Sequence, residues 1–180
     1  GDMGVVLVLY RNVALSVTRS CLSLFERGGL AGWAASGIGA DDPVMLVGFS
    51  QGGIMAGHLV SYNSDYNWQA VIASGAPIDH MPIPGDVDVV SVQHNGDPVP
   101  NLDIIAGDLG TQHGPNWTTI SVDPPTPNPV LGVDVDAHNA DAYSSTYQQH
   151  LADVQANHPD LAHFFAEDGY VDTSYYQWNE

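Results

Sequence analysis

One cysteine, three arginines and no lysine are the scarcities that first constrain this chain of 180 residues. With Cys21 alone, no disulfide forms within the chain and no thiolate-based zinc site can be assembled. Cys21 lies in an apolar helical stretch with Val17, Leu24 and Phe25, a setting for a small buried hydrophobe rather than a reactive thiol. Arg11, Arg19 and Arg27 face twenty-one acids, eighteen of them Asp, for a formal net charge of −18. A field of that sign repels phosphate, so nucleic acid and anionic lipid headgroups are disfavoured as partners, while neutral and cationic small molecules are not. There is also no run of eighteen apolar residues, and the start Gly1-Asp2-Met3 lacks the basic region of a signal peptide, so the chain reads as soluble. Neither compartment nor oligomeric state is legible.

What is present is enough for one domain over residues 1–180, with 44% hydrophobic residues to form its core. Apolar runs alternate with helical patterns, the signature of a mostly parallel sheet flanked by helices, an α/β three-layer arrangement. Strands are expected over Val5 to Tyr10, Val44 to Phe49, Ala70 to Ser74, Val87 to Gln93 and Trp117 to Val122. The first of these has no turn signal before Arg11 and reads alternatively as the start of the next helix. Helices are expected over Asn12 to Arg27, Gly52 to Ser61 and Asn139 to Ala156, and the aromatic tail from about Asn157 reads as a packed terminal helix in preference to a contact surface. Gly75-Ala76-Pro77, Asn95-Gly96-Asp97-Pro98 and a proline-rich stretch from Pro124 follow successive strands. Sites in open parallel sheets form at the carboxyl ends of the strands, so these loops converge on one edge.

Gly48-Phe49-Ser50-Gln51-Gly52 reads as a G-x-S-x-G nucleophile elbow between an apolar strand and a small-residue helix. A serine at such a turn holds a strained backbone with its hydroxyl projecting, and the flanking glycines remove the collisions that side chains would make there. The pattern alone also describes an ordinary turn serine; the strand before it and the helix after it are what discriminate. A serine hydroxyl is a poor nucleophile at neutral pH, so it needs an imidazole base and an acceptor that fixes the imidazole. Asp97 is the expected acid, because it follows the fourth strand by a short turn stiffened by Pro98 and Pro100. Asp79, Asp103 and Asp108 are its rivals. His138 is the expected base, lying beyond the last strand at the entry to a helical pattern, with His113 as its competitor. His94 is too close to Asp97 in the chain to bridge to Ser50, His58 lies two turns into the nucleophile helix, and His80, His150, His158 and His163 read as surface or packing residues. No metal-binding spacing is seen and no cofactor is implied, although Asp134 and Asp136 beside His138 leave a weak cation site open.

Val44 to Gly53 with Ser50 at the elbow, Ala73-Ser74-Gly75-Ala76-Pro77, His94-Asn95-Gly96-Asp97-Pro98-Val99-Pro100, and His138 ahead of Tyr143 together resemble the lipase and esterase branch of the α/β-hydrolase superfamily. The likeness covers about residues 40 to 150 and is closest to bacterial serine hydrolases with a G-[HF]-S-Q-G-G elbow and a D-x-V-P acid loop. The resemblance implies Ser50 as nucleophile, Asp97 as acid, His138 as base and the Gln51 N–H as one oxyanion donor, in acyl transfer through an acyl-enzyme. It implies a small acyl-ester or lipid-like substrate. With about forty residues ahead of the elbow strand and no glycine-rich oxyanion loop among them, the chain is expected to lack the N-terminal part of that fold. Phe49, Ile78, Met81 and Val99 are the candidate substrate-binding residues, with the apolar loop from Pro77 to Pro84 as a pocket wall, a lid or a plain connection. An acyltransferase or thioesterase would use the same three residues, and a non-catalytic binding domain would keep the same fold.

Overall fold

The computed structural model describes residues 38–102 and 113–165 and the backbone of residues 5–9. Five strands lie side by side in chain order, β1 (Val5–Leu9), β2 (Pro43–Phe49), β3 (Asn67–Ser74), β4 (Asp88–His94) and β5 (Trp117–Val122). Every neighbouring pair is parallel. This is an α/β fold, and the expected strands are all present, with ends shifted by up to three residues. Val5 to Leu9 is a strand rather than a helix start, because it pairs with Val44 to Gly48 along its whole length. The helix expected over residues 12–27 lies outside the described residues, as do Asp103, Asp108 and the tail beyond Phe165.

Alternation along the strands divides the core between two faces. Val44, Leu46, Val71, Ala73 and Val89 point to one face, where Ala56, Leu59 and Val60 of helix α1 (Gln51–Tyr62) cover them. Met45, Ile72, Val90, Val92 and Ile120 point to the other, under Tyr143 of α2 (Ala140–Gln149) and Val154 of α3 (Leu151–Asn157). A 3-10 turn over Pro159–Phe165 adds Leu161 and Phe164 to that second cluster. A strand buried on both faces must be apolar at nearly every position, which is why β2, β3 and β4 read as continuous hydrophobic runs.

The single helix expected over Asn139 to Ala156 is two, broken at His150 with φ −101 and ψ 6. The His150 N–H is shared between the carbonyls of Thr146 and Tyr147, each at 3.2 Å, the tightening of a last helical turn. Among the described residues no helix is long and apolar enough to cross a membrane.

The register brings the outgoing ends of the strands together, with Phe49 opposite Ser74, Ser74 opposite Val92 and His94 opposite Val122. Cross-links lace this edge just beyond the strands, from Ser50 N–H to Ser74 O (2.8 Å), Gly75 N–H to Val92 O (2.9 Å) and Asn95 N–H to Val122 O (2.8 Å). The loops after β2, β3 and β4 therefore start side by side.

Candidate active site

Ser50 is the residue between β2 and α1, and its φ of 53 with ψ −120 is a conformation that L-residues avoid. A Cβ built on Gly48 would stand 2.3 Å from the carbonyl carbon of Gly52, so the strand and the helix can cross this closely only with glycine there. The Ser50 carbonyl accepts from the N–H groups of Gly53 (3.0 Å) and Ile54 (3.2 Å), which starts the helix. A serine at an N-cap ordinarily spends its hydroxyl on the N–H of the second or third helical residue. Ser50 makes no such bond.

Its hydroxyl instead lies 2.8 Å from Nε2 of His138, whose Nδ1 lies 2.8 Å from Oδ2 of Asp97. With Nδ1 against a carboxylate, the imidazole donates there and presents a free Nε2 lone pair to the Ser50 hydroxyl. Asp97 is buried, and Val99 donates its N–H to Oδ1 at 2.9 Å. His138 precedes Asn139, whose side chain caps α2 by accepting from the N–H groups of Asp141 (3.0 Å) and Ala142 (3.1 Å). Phe49 stacks on the His138 ring with centroids 4.8 Å apart, and the open side of the imidazole keeps it partly exposed to solvent.

Two loops that meet here are fastened by backbone. Asp134 donates its N–H to the Gly96 carbonyl at 2.8 Å, joining the loop of His138 to the loop of Asp97. The buried Asp134 carboxylate accepts from the N–H groups of Asn128 (2.6 Å), Asp136 (3.1 Å) and Ala137 (3.2 Å), shaping the turn that delivers His138. That arrangement occupies Asp134 with backbone donors, and no group of three metal-binding side chains occurs among the described residues.

Three further residues at this edge carry roles that the sequence does not announce. Tyr143 donates its hydroxyl to Oδ2 of Asp97 at 2.7 Å and accepts from the His94 N–H at 2.9 Å. Burial, then the Asp97 contact, holds the Tyr143 phenol well above its usual range, so it stays a proton donor. The His94 ring stacks on Tyr143 at 3.9 Å, with Nδ1 2.9 Å from Ala137 O and Nε2 2.8 Å from Thr146 Oγ1. Gly75, with φ +58, makes room: a Cβ there would lie 3.0 Å from Tyr143 Cε2 and 3.2 Å from His138 Cε1. The signals were faint, a glycine immediately after a strand and a tyrosine on the buried stripe of a helix.

The remaining candidates lie elsewhere. Asp79 accepts from the Gln93 side chain (3.2 Å) rather than from His138, and His113 stacks on Trp117 at 3.8 Å. His150 pairs with Asp153 and buried His158 with Asp88, while His163 Nδ1 lies 3.0 Å from the Asp160 carbonyl. Of the four residues expected to touch substrate, Phe49 and Val99 flank the serine–histidine–aspartate chain. Ile78 and Met81 do not. Ile78 has no exposed surface, and both side chains fill the space beside Gly57, where a Cβ would meet Met81 Sδ at 2.6 Å and Ile78 Cγ2 at 3.2 Å. The connection from β3 to β4 thus spends its apolar residues on seating α1.

Comparison with family models, curated proteins and solved structures finds no match for this chain. Ser50 O–H, His138 and Asp97 form an unbroken path along which a proton can leave the serine and the resulting imidazolium is met by a buried carboxylate. The first N–H groups of α1, on Gln51 and Gly52, have no intrahelical acceptor and lie at the positive end of the helix beside Ser50.

Proposed function

We propose that this protein is a serine hydrolase of the α/β-hydrolase type, acting on carboxylic esters through a covalent acyl-enzyme. The observation that carries the reading is the hydrogen-bonded chain from Ser50 through His138 to Asp97. Its members lie 88 and 41 positions apart and arrive from separate loops at one sheet edge. A structural serine needs none of this. The strained elbow, the hydroxyl withheld from capping and the glycine crossing at Gly48 support the same reading.

In the mechanism, His138 Nε2 takes the Ser50 proton as Oγ attacks the ester carbonyl. The imidazolium is held by Asp97 through Nδ1–H, and the developing oxyanion is met by the Gln51 N–H at the start of α1. Collapse of the tetrahedral intermediate breaks the ester C–O bond, and His138 gives its proton to the leaving alcohol. A water, deprotonated by the same nitrogen, then attacks the acyl group and returns Ser50 to its starting state. A substrate without negative charge suits the chain, which carries −18 overall.

The test is hydrolysis of a series of p-nitrophenyl esters of increasing acyl length by the purified chain. Turnover of at least one ester is expected, falling in Ser50→Ala by on the order of a thousandfold or more. Turnover that persists undiminished in Ser50→Ala would overturn the reading.

A further inference from the structure

Resting on the hydrolase reading above, we infer that Tyr143 is a positioning residue: it fixes the Asp97 carboxylate and sets how much of its charge His138 receives. The two carboxylate oxygens are unequally used. Oδ1 accepts the Val99 N–H, whereas Oδ2 accepts both His138 Nδ1–H at 2.8 Å and the Tyr143 hydroxyl at 2.7 Å. The oxygen that faces the base is therefore shared with the phenol.

A tyrosine that merely filled the core would gain nothing from its hydroxyl, because burying an unpaired hydroxyl is costly. Tyr143 is 1% exposed, yet its oxygen is paired on both sides, accepting from the backbone of His94 and donating to Asp97. The donation has a fixed direction. The acceptor role is taken by a backbone N–H, so the phenol proton has only the carboxylate to meet. His94 braces the ring from one side by stacking at 3.9 Å, and Phe49 approaches it at 5.5 Å. His94 is itself anchored to Ala137 O and Thr146 Oγ1, so one buried group steadies both Tyr143 and the residue that precedes His138.

Removing the hydroxyl leaves Oδ2 with His138 as its only donor. More of the carboxylate charge then falls on the imidazole Nδ1–H, and that hydrogen bond tightens. The carboxylate also loses one of the contacts that set its rotation. Among the described residues, Ser50 from the elbow meets His138, the Val99 N–H and the Tyr143 hydroxyl meet Asp97, His94 from β4 stands behind Tyr143, and the Asp134 carboxylate is turned to backbone N–H groups.

The test compares the wild-type chain with Tyr143→Phe, Asp97→Asn and the double variant on a short soluble ester. In parallel, the downfield proton resonance of His138 Nδ1–H is followed, which reports the Asp97 contact whether or not an ester is turned over. Tyr143→Phe is expected to lower kcat on the order of tenfold with KM little changed. Its Nδ1–H resonance should move further downfield, and it should add little to the loss already present in Asp97→Asn. Thr146→Val loosens the same support one contact further out and should move both readouts in the same direction by less; it serves if Tyr143→Phe does not fold. A folded Tyr143→Phe with unchanged kcat and resonance would overturn the inference, as would an undiminished effect in the Asp97→Asn background. An inactive wild-type chain with a shifted resonance would instead remove the hydrolase reading and leave the Tyr143 to Asp97 coupling in place.

Discussion

Asp97 is sealed from solvent, and three donors hold its carboxylate: the Val99 N–H, the Tyr143 hydroxyl and His138 Nδ1. Each donor replaces a lost water, so the buried carboxylate keeps its hydrogen bonds. Burial holds the protons of the α2 tyrosines more tightly, because it penalises the phenolate. Tyr147 is pushed up from 10.0 to about 12 by desolvation, and Tyr143 is raised further. For an acid whose proton is held more tightly in the folded state, stability is full below the unfolded value and falls as pH rises toward the folded one. The chain is therefore expected to lose stability in denaturant titrations from about pH 10 toward pH 12. Tyr147→Phe should make that loss shallower; identical slopes for the two proteins would contradict it.

At the scale of elements, the described part of the chain has two non-glycine residues at positive φ, Ser50 at 53 and Leu131 at 54. They differ in what surrounds them. Ser50 is locked by the crossing of Gly48 over Gly52 and by the bond to Ser74 O. Leu131 is wholly exposed, at the tip of a two-residue turn in which Val130 and Val133 exchange N–H to carbonyl bonds of 2.8 and 3.1 Å. Turns of this kind favour Asn-Gly, and the next residue is already Gly132, also at positive φ. Leu131→Asn is expected to raise stability by about 1 kcal/mol. Gly48→Ala, which sets a methyl against backbone, should lower it by about 3 kcal/mol or more. Thermal or denaturant unfolding reads both, and the same sign for the two changes would contradict this account.

The elements were legible where their causes are local. The doubly buried strands announce themselves as apolar runs, and the elbow glycines, the stiffened turn at Asp97 and the polar cap at Asn139 each carry their geometry in neighbouring residues. What stayed hidden depends on contacts distant in sequence. No glycine or proline marks the break at His150. Ile78 and Met81 look like the wall of a pocket until Gly57 admits them against α1. The hydroxyl of Tyr143 finds its acceptor 46 positions away.

Across the whole molecule, a parallel sheet in simple chain order explains why a site can be read from order alone. Each strand leaves the sheet at the same edge, so Ser50 after β2, Asp97 after β4 and His138 after β5 are delivered to one place by topology before any side chain is considered. The opposite edge shows what the site is not. There His158 lies 2.9 Å from both Asp88 Oδ1 and Thr118 Oγ1, a similar trio of side chains, but the His158 side chain is only 3% exposed and Thr118 lies within a strand rather than at a helix start. Hydrogen bonding among a hydroxyl, an imidazole and a carboxylate is thus not sufficient; the strained elbow, the helix start and the open imidazole edge distinguish Ser50. The most direct measurement is labelling of the folded chain with a fluorophosphonate probe, with the adduct located by peptide mass mapping. The account predicts one adduct, on Ser50, lost in Ser50→Ala and in His138→Ala. A folded wild-type chain that takes up no probe, or labels as fast without His138 as with it, would contradict an activated serine at this site.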